Sequence, residues 1–219
     1  MPEFTLDTEH PVTIPCGNAK LDGLLHIPKD VHGIVLFAHG SGSSRLSARN
    51  QHVASVLQTA KIATLLFDLL TPEEEANDIQ TGEYRFDISF LAERLSASTQ
   101  WVMHHPVLNK LPIGYFGAST GGGAALVAAA RLAAHIKAVV SRGGRPDMAG
   151  ESLAYVEAPT LLIVGSLDEA VITMNESAMQ QMHCVKQLSI VNGATHLFEE
   201  PGKLDDVAKL AKNWFEKYL

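Results

Sequence analysis

The 219-residue sequence has little cysteine, no excess of positive charge and no long apolar run. Its two cysteines, Cys16 and Cys184, lie far apart, which does not indicate the disulfide framework of a small secreted domain. The formal net charge of −7 argues against nucleic acid or an anionic membrane as a partner. No apolar stretch reaches the roughly 18 residues that a membrane-spanning helix needs. Residues 1–7 show no basic region followed by an apolar one, so we expect no secretory signal and a cytoplasmic protein.

Hydrophobic residues, in contrast, make up 46% of the chain, enough for the core of a single domain over residues 1–219. Apolar β-branched runs alternate with segments of helical periodicity. The predicted strands lie at 12–14, 24–27, 33–38, 62–70, 113–116, 138–140, 160–164 and 188–191. The predicted helices cover about 48–60, 84–105, 120–135, 169–183 and 204–219. This alternation predicts an α/β fold with a mostly parallel, doubly wound sheet and helices on both faces. Ligands of such sheets bind beyond the carboxyl ends of the strands.

The strongest motif is Gly117-Ala118-Ser119-Thr120-Gly121, a G-x-S-x-G sequence. It follows an apolar strand and precedes an alanine-rich helical segment, which is the context of a nucleophile elbow. A sharp turn there exposes the serine hydroxyl, and the following helix directs free N–H groups toward it. Ser119 is therefore the predicted nucleophile. The alternative is a glycine-rich turn that carries an incidental serine.

A serine nucleophile needs a base and an acid that orients the base, and this type of elbow has the chain order serine, acid, histidine. Asp168 follows the end of one predicted strand, and His196 follows the end of the next. Asp168 could instead cap a helix, and Glu169 is the nearest competitor for the acid. The predicted catalytic residues are Ser119, Asp168 and His196.

Acyl transfer also needs backbone donors for the developing oxyanion. The N–H of Thr120, directly after the nucleophile, is the first, and the loop after the third predicted strand provides the second. In that loop His39-Gly40 precedes a run of small residues, which indicates the N–H of Ser41, with Gly42 as the alternative. His39 itself is expected to fix the loop by hydrogen bonds rather than to act as a second base, since the chemistry requires only one.

Four arginines follow strand ends in this acidic sequence: Arg45, Arg49, Arg142 and Arg145. Guanidinium groups bind carboxylate and phosphate in a bidentate manner, so Arg142, Arg145 and Arg45 are candidates for binding an anionic group of a substrate. The alternative is pairing within the protein, because charged side chains are usually partnered when they are not solvated. The acidic residues considered for such pairs are Glu73, Glu74, Glu75 and Asp147.

Taken together, these segments resemble the dienelactone hydrolase-like branch of the α/β hydrolases. The resemblance covers nearly the whole chain. It is carried by His39-Gly40-Ser41-Gly42, Gly117-Ala118-Ser119-Thr120-Gly121, Val164-Gly165-Ser166-Leu167-Asp168 and Gly193-Ala194-Thr195-His196. It implies hydrolysis of an ester, lactone or thioester without cofactor or metal. Dienelactone hydrolases in the strict sense have a cysteine in the elbow, whereas this chain has Ser119, so dienelactone is not the expected substrate.

Three kinds of function are compatible with these residues. The acyl-enzyme could react with water, as in an esterase, or with another acceptor, as in an acyltransferase or a cofactor-free perhydrolase. A non-catalytic binding module on a hydrolase scaffold is the third, because fold alone does not determine function. The segment between the strand 138–140 and Pro159 is too short for a large cap, which predicts an open cleft. We expect a small-molecule ester-type substrate, with an anionic group as the hypothesis from the arginines. The sequence leaves the oligomeric state open.

Overall fold

The computed structural model describes residues 4–219. Met1, Pro2 and Glu3, part of the segment considered above for a secretory signal, lie outside the described residues. The strands are β1 (Glu9–Cys16), β2 (Ala19–His26), β3 (Gly33–Ala38), β4 (Ile62–Phe67), β5 (Ile113–Ala118), β6 (Ile136–Arg142), β7 (Thr160–Gly165) and β8 (Lys186–Val191). The helices are α1 (Ala48–Thr59), α2 (Pro72–Thr81), α3 (Ile88–His104), α4 (Thr120–Arg131), α5 (Glu169–Gln181) and α6 (Lys203–Tyr218). A 3₁₀ segment covers Pro146–Tyr155.

These strands form one sheet in the order β1-β2-β4-β3-β5-β6-β7-β8. The pairs β1–β2 and β2–β4 are antiparallel, and every later pair in the sheet is parallel. The strands β3, β4, β5 and β7 are buried along their whole length, as expected of parallel strands that are covered on both faces. The prediction of a mostly parallel, doubly wound sheet is confirmed.

Two hydrophobic clusters sandwich the sheet. One includes residues of α1 and α6, and the other includes residues of α3, α4 and α5. Tight packing against the sheet requires glycine at one place, since a Cβ atom on Gly114 would overlap the ring of Phe215 from α6. The connection from β6 to β7 contains the 3₁₀ segment and no large cap among the described residues. No helix in residues 4–219 is both long and apolar enough to cross a membrane.

The helix α2 is absent from the predicted elements, and this is the main difference between the expected and the observed fold. It begins at Pro72 and is capped by Thr71, whose hydroxyl accepts from the N–H of Glu74 while the Glu74 carboxylate accepts from the N–H of Thr71. Proline in the first turn and this reciprocal pair are recognised start signals, so the segment Thr71-Pro72-Glu73-Glu74 does contain the information. The neighbouring boundaries shift accordingly: β4 ends at Phe67, and α3 begins at Ile88 rather than near residue 84.

Candidate active site

Ser119 lies at the junction of β5 and α4, where the backbone turns sharply. Its φ of 51° and ψ of −122° place a non-glycine residue in a conformation that costs free energy and that the surrounding chain must hold. A Cβ atom on Gly117 would overlap the backbone of Gly121, and one on Gly121 would overlap the carbonyl oxygen of Ala38. The two glycines of the motif are therefore needed for close approach of the backbone.

Asp168 and His196 lie in direct contact at the ends of β7 and β8. The distance between Nδ1 of His196 and Oδ2 of Asp168 is 2.6 Å. Because a carboxylate can only accept, Nδ1–H donates, and Nε2 is left free to take a proton. The Asp168 side chain forms no capping hydrogen bond with α5, and Glu169 is exposed. The geometry thus favours Asp168 over Glu169 as the partner of His196, and it does not show Asp168 as a helix cap.

Hydrogen bonds donated by backbone N–H groups connect the loop of Asp168 to the loop of His196. The N–H of Leu167 donates to the carbonyl of Ala194 at 3.0 Å, and the N–H of Gly193 donates to the hydroxyl of Ser166 at 2.8 Å. These cross-loop bonds do not involve the acid or the base. They set the separation of Asp168 and His196 independently of the side chains that react.

The end of β6 contacts both Ser119 and His196. The N–H of Ser119 donates to the carbonyl of Arg142 at 3.2 Å. A Cβ atom on the next residue, Gly143, would lie 3.5 Å from Cε1 and Nδ1 of His196. Within residues 4–219 the Ser119 hydroxyl forms no hydrogen bond with His196. Catalytic hydrogen bonds are often long before substrate binds, so this geometry leaves the predicted nucleophile–base contact untested.

The two predicted oxyanion donors lie side by side, but one of them is already engaged. Thr120 is the first residue of α4, so its N–H has no partner within the helix. The N–H of Ser41 donates to Oγ1 of Thr120 at 3.0 Å. A Cβ atom on Gly40 would lie 3.0 Å from Cβ of Ser119, which shows how closely this loop passes the nucleophile. The Thr120 hydroxyl is a contact that the sequence motif does not reveal.

His39 forms hydrogen bonds that hold the loop after β3, the role expected for it from the sequence. Its Nδ1 lies 2.9 Å from the carbonyl oxygen of Gly40, and its Nε2 accepts from the N–H of Leu69 at 3.0 Å. Since the N–H of Leu69 can only donate, the ring proton is on Nδ1. Burial lowers the pKa of His39, which keeps the imidazole neutral.

Two of the three candidate substrate-binding arginines are paired within the protein. The guanidinium of Arg45 pairs with Asp68 and lies 3.6 Å from Asp22. Arg145 forms a bidentate pair with Asp147, with distances of 2.9 and 2.7 Å. Asp147 is one of the partners considered from the sequence. The partners of Arg45 are not among those residues: Asp22 lies in β2, and Asp68 follows β4.

Arg142 has no acidic partner among the described residues, but it is 6% exposed. Its guanidinium carbon lies 5.9 Å from the centre of the Phe198 ring. Burial lowers the pKa of Arg142 to about 10, and the charge of nearby Arg49 acts in the same direction. Arg49 in turn pairs with Glu199 at 3.1 Å. The substrate-binding role predicted for the arginines therefore stays a prediction, and Arg142 alone of the three is unpaired.

Comparison with known proteins extends this picture. The profile of the dienelactone hydrolase family matches residues 21–219. A crystal structure of dienelactone hydrolase from Anabaena variabilis is 58% identical, covers 97% of this chain and 98% of its own, and has a TM-score of 0.95. Est1E from Butyrivibrio proteoclasticus, solved with ferulic acid bound, has a TM-score of 0.79 over 94% of this chain and 98% of its own. At 18% identity, Est1E supports the fold alone.

A curated relative carries a different name. A Mycobacterium tuberculosis protein with the provisional name phosphoribosyl transferase is 56% identical over 95% of this chain. The match covers 46% of that protein, so the chain spans about half the length of the curated relative. The profile match and the structural likeness extend over almost the whole of this chain, which has the fold and the elbow motif of an α/β hydrolase. The chain belongs to the dienelactone hydrolase family.

Proposed function

We propose that this chain is a serine hydrolase that cleaves a small ester, lactone or thioester through an acyl-enzyme on Ser119. The observation that carries the proposal is the 2.6 Å contact between His196 and Asp168, at the same edge of the sheet as the strained elbow. An acid–base pair beside a partly exposed serine is the arrangement that acyl transfer requires.

In the proposed reaction the Ser119 hydroxyl attacks the carbonyl carbon while Nε2 of His196 takes its proton. The tetrahedral intermediate collapses when the leaving alcohol or thiol receives that proton from His196, which leaves an acyl ester on Ser119. A water molecule then repeats the sequence, and the carboxylic acid is released. Asp168 holds the imidazole and stabilises the imidazolium formed in each half.

The oxyanion is assigned to the N–H groups of Thr120 and Ser41. The hydroxyl of Thr120 holds the Ser41 N–H in position until the oxyanion replaces it as the acceptor. The N–H of Thr120 needs no such exchange, and donors that are held in place before charge develops lower the cost of stabilising it.

The transferase name of the Mycobacterium tuberculosis relative belongs to a protein about twice as long as the matching part. We therefore propose the hydrolase activity for this chain and do not extend the name of the full-length relative to it. The dienelactone hydrolase of Anabaena variabilis, which matches over 98% of its length, supports the same choice.

The test combines covalent labelling with turnover. We expect a fluorophosphonate probe to label the wild type at one site and p-nitrophenyl acetate to be hydrolysed. Ser119→Ala should lose both properties and keep its melting temperature within a few degrees. Ser55→Ala removes an exposed serine of α1 and is the matched control, which should behave like the wild type. Full labelling of Ser119→Ala would show that another residue is the nucleophile.

A further inference from the structure

A cavity of about 270 Å³ lies between the loop that follows β3 and the beginning of α2. A second, much smaller cavity of about 10 Å³, room for one water molecule, reaches Gly40 and Thr120. The two cavities share His39, Gly42 and Glu75 among their walls. Gly40, which packs against Ser119, lines the smaller cavity, and the shared residues place the larger cavity beside that smaller one.

Three consecutive glutamates begin α2, and each has a different environment. Glu73 is exposed and faces a separate groove toward the hairpin of β1 and β2. Glu74 completes the helix cap and pairs with Arg94. Glu75 lines both cavities beside the oxyanion loop, and within residues 4–219 its carboxylate has no ion pair and no hydrogen bond.

The other charges near these cavities are compensated. Asp68 lines the larger cavity but pairs with Arg45. Arg85 lines the smaller one and is bound by Asp78, with 2.6 Å between Nε and Oδ2. His39 is held neutral by burial. Among residues 4–219, Glu75 is therefore the charged side chain of these walls that no other side chain pairs with, and its carboxylate is the group that would attract a cation.

We propose that this cavity is the subsite for a positively charged group of the substrate and that Glu75 determines the preference. The polar residues Ser43, Ser44 and Thr71 also line the cavity. A cation exchanges part of its hydration for the Glu75 carboxylate, whereas an anion is repelled by it. The inference rests on the proposed esterase function and names a substrate class for it.

The experiment uses two series of esters in which one group is cationic, neutral or anionic, and the cationic and neutral members have the same shape. The alcohol series compares acetylcholine with its neutral isostere 3,3-dimethylbutyl acetate and with the anionic acetoxyacetate. The acyl series carries the same three charge types on phenyl esters. In at least one series we expect kcat/KM to be about five- to tenfold higher for the cation than for the neutral ester, the size of an ion pair partly shielded from water. The anionic ester should be the poorest substrate of that series.

The decisive variant is Glu75→Gln, which keeps the shape of the side chain and should reduce the preference to about one. Glu73→Gln removes the same charge from the same helical turn outside the cavity and should leave the preference intact. Higher salt should weaken the preference, because ions screen a charge near the surface.

Equal rates for cationic and neutral esters in both series, or a preference unchanged in Glu75→Gln, would overturn the inference. A faster anionic ester would do the same and would favour Arg142 as the recognition residue. Failure to hydrolyse any ester, including p-nitrophenyl acetate, would instead count against the proposed function.

Discussion

The two sides of the catalytic edge are held together in different ways. On the base side, formed by the loops after β7 and β8, two backbone–backbone bonds, from Ser166 to Val191 and from Leu167 to Ala194, hold the loops together, and the Ser166 hydroxyl adds one side-chain acceptor. On the oxyanion side, formed by the loop after β3 and by α2, the corresponding work is done by side chains, above all His39 and Thr120. Because the positions of Asp168 and His196 depend mainly on backbone bonds, the side chains around them can change with little effect on that geometry. A recognition side that depends on side chains can change its substrate by single substitutions.

The largest expected effect is on the base side. In Asp168→Asn the amide can donate to Nδ1 of His196, which favours the wrong tautomer for a base at Nε2. We expect kcat to fall by about 10³- to 10⁴-fold, the range typical for loss of the orienting acid. Glu169→Gln is the matched control and should keep full activity, because Glu169 is exposed beside the site. Steady-state kinetics on p-nitrophenyl acetate check the pair, and the reverse pattern would transfer the acid role to Glu169.

A smaller effect is expected from Thr120 on the oxyanion side. Thr120→Val keeps the shape but removes the acceptor for the Ser41 N–H, so the loop loses a contact at 3.0 Å. We expect kcat to fall about five- to tenfold with little change in KM, because a net hydrogen bond contributes about 1 to 1.4 kcal/mol. Thr120→Ser retains the hydroxyl and should stay within about threefold of the wild type, on the same argument. Equal kcat values for the valine and serine variants would mean that the hydroxyl does not position the donor.

The smallest effect concerns stability and pH, again on the oxyanion side. Burial lowers the pKa of His39 in the folded protein, while the unfolded chain has a pKa of about 6.5. Below pH 6.5 the unfolded state therefore binds more protons, and stability declines as the pH falls toward the folded pKa. At pH 5.5 the contribution of His39 to this loss is at most about 1.4 kcal/mol.

The measurement is urea unfolding of the wild type and of His39→Gln between pH 7.5 and 5.5. Glutamine retains an acceptor for the N–H of Leu69 but does not titrate, so the variant should have the lower stability and the flatter pH dependence. The difference between the two curves separates His39 from the partly buried histidines His26 and His105, whose pKa values are also lowered by desolvation. Parallel curves would show that His39 is not the titrating group.

The candidate site could be predicted to different degrees on its two sides. The positions of Ser119, Asp168 and His196 follow from local patterns, because each lies directly after a strand and the carboxyl ends of parallel strands meet at one edge. The ion pairs of Arg45 with Asp22 and Asp68 could not be predicted in this way. They join residues of different elements, and their selection depends on distances that only the assembled sheet defines.

The amino-acid sequence by itself determined the alternation of strands and helices, the elbow at Ser119 and the order in which the proposed catalytic residues follow strand ends. These features depend on neighbours a few residues apart, where backbone conformation and apolar periodicity act directly. The tertiary structure decided that Thr120 holds the N–H of Ser41, 79 residues earlier in the chain, and that Glu75 faces the cleft while Glu73 and Glu74 do not. Such choices depend on which surfaces meet when α2 packs beside the oxyanion loop, and packing between distant segments is a property of the folded chain.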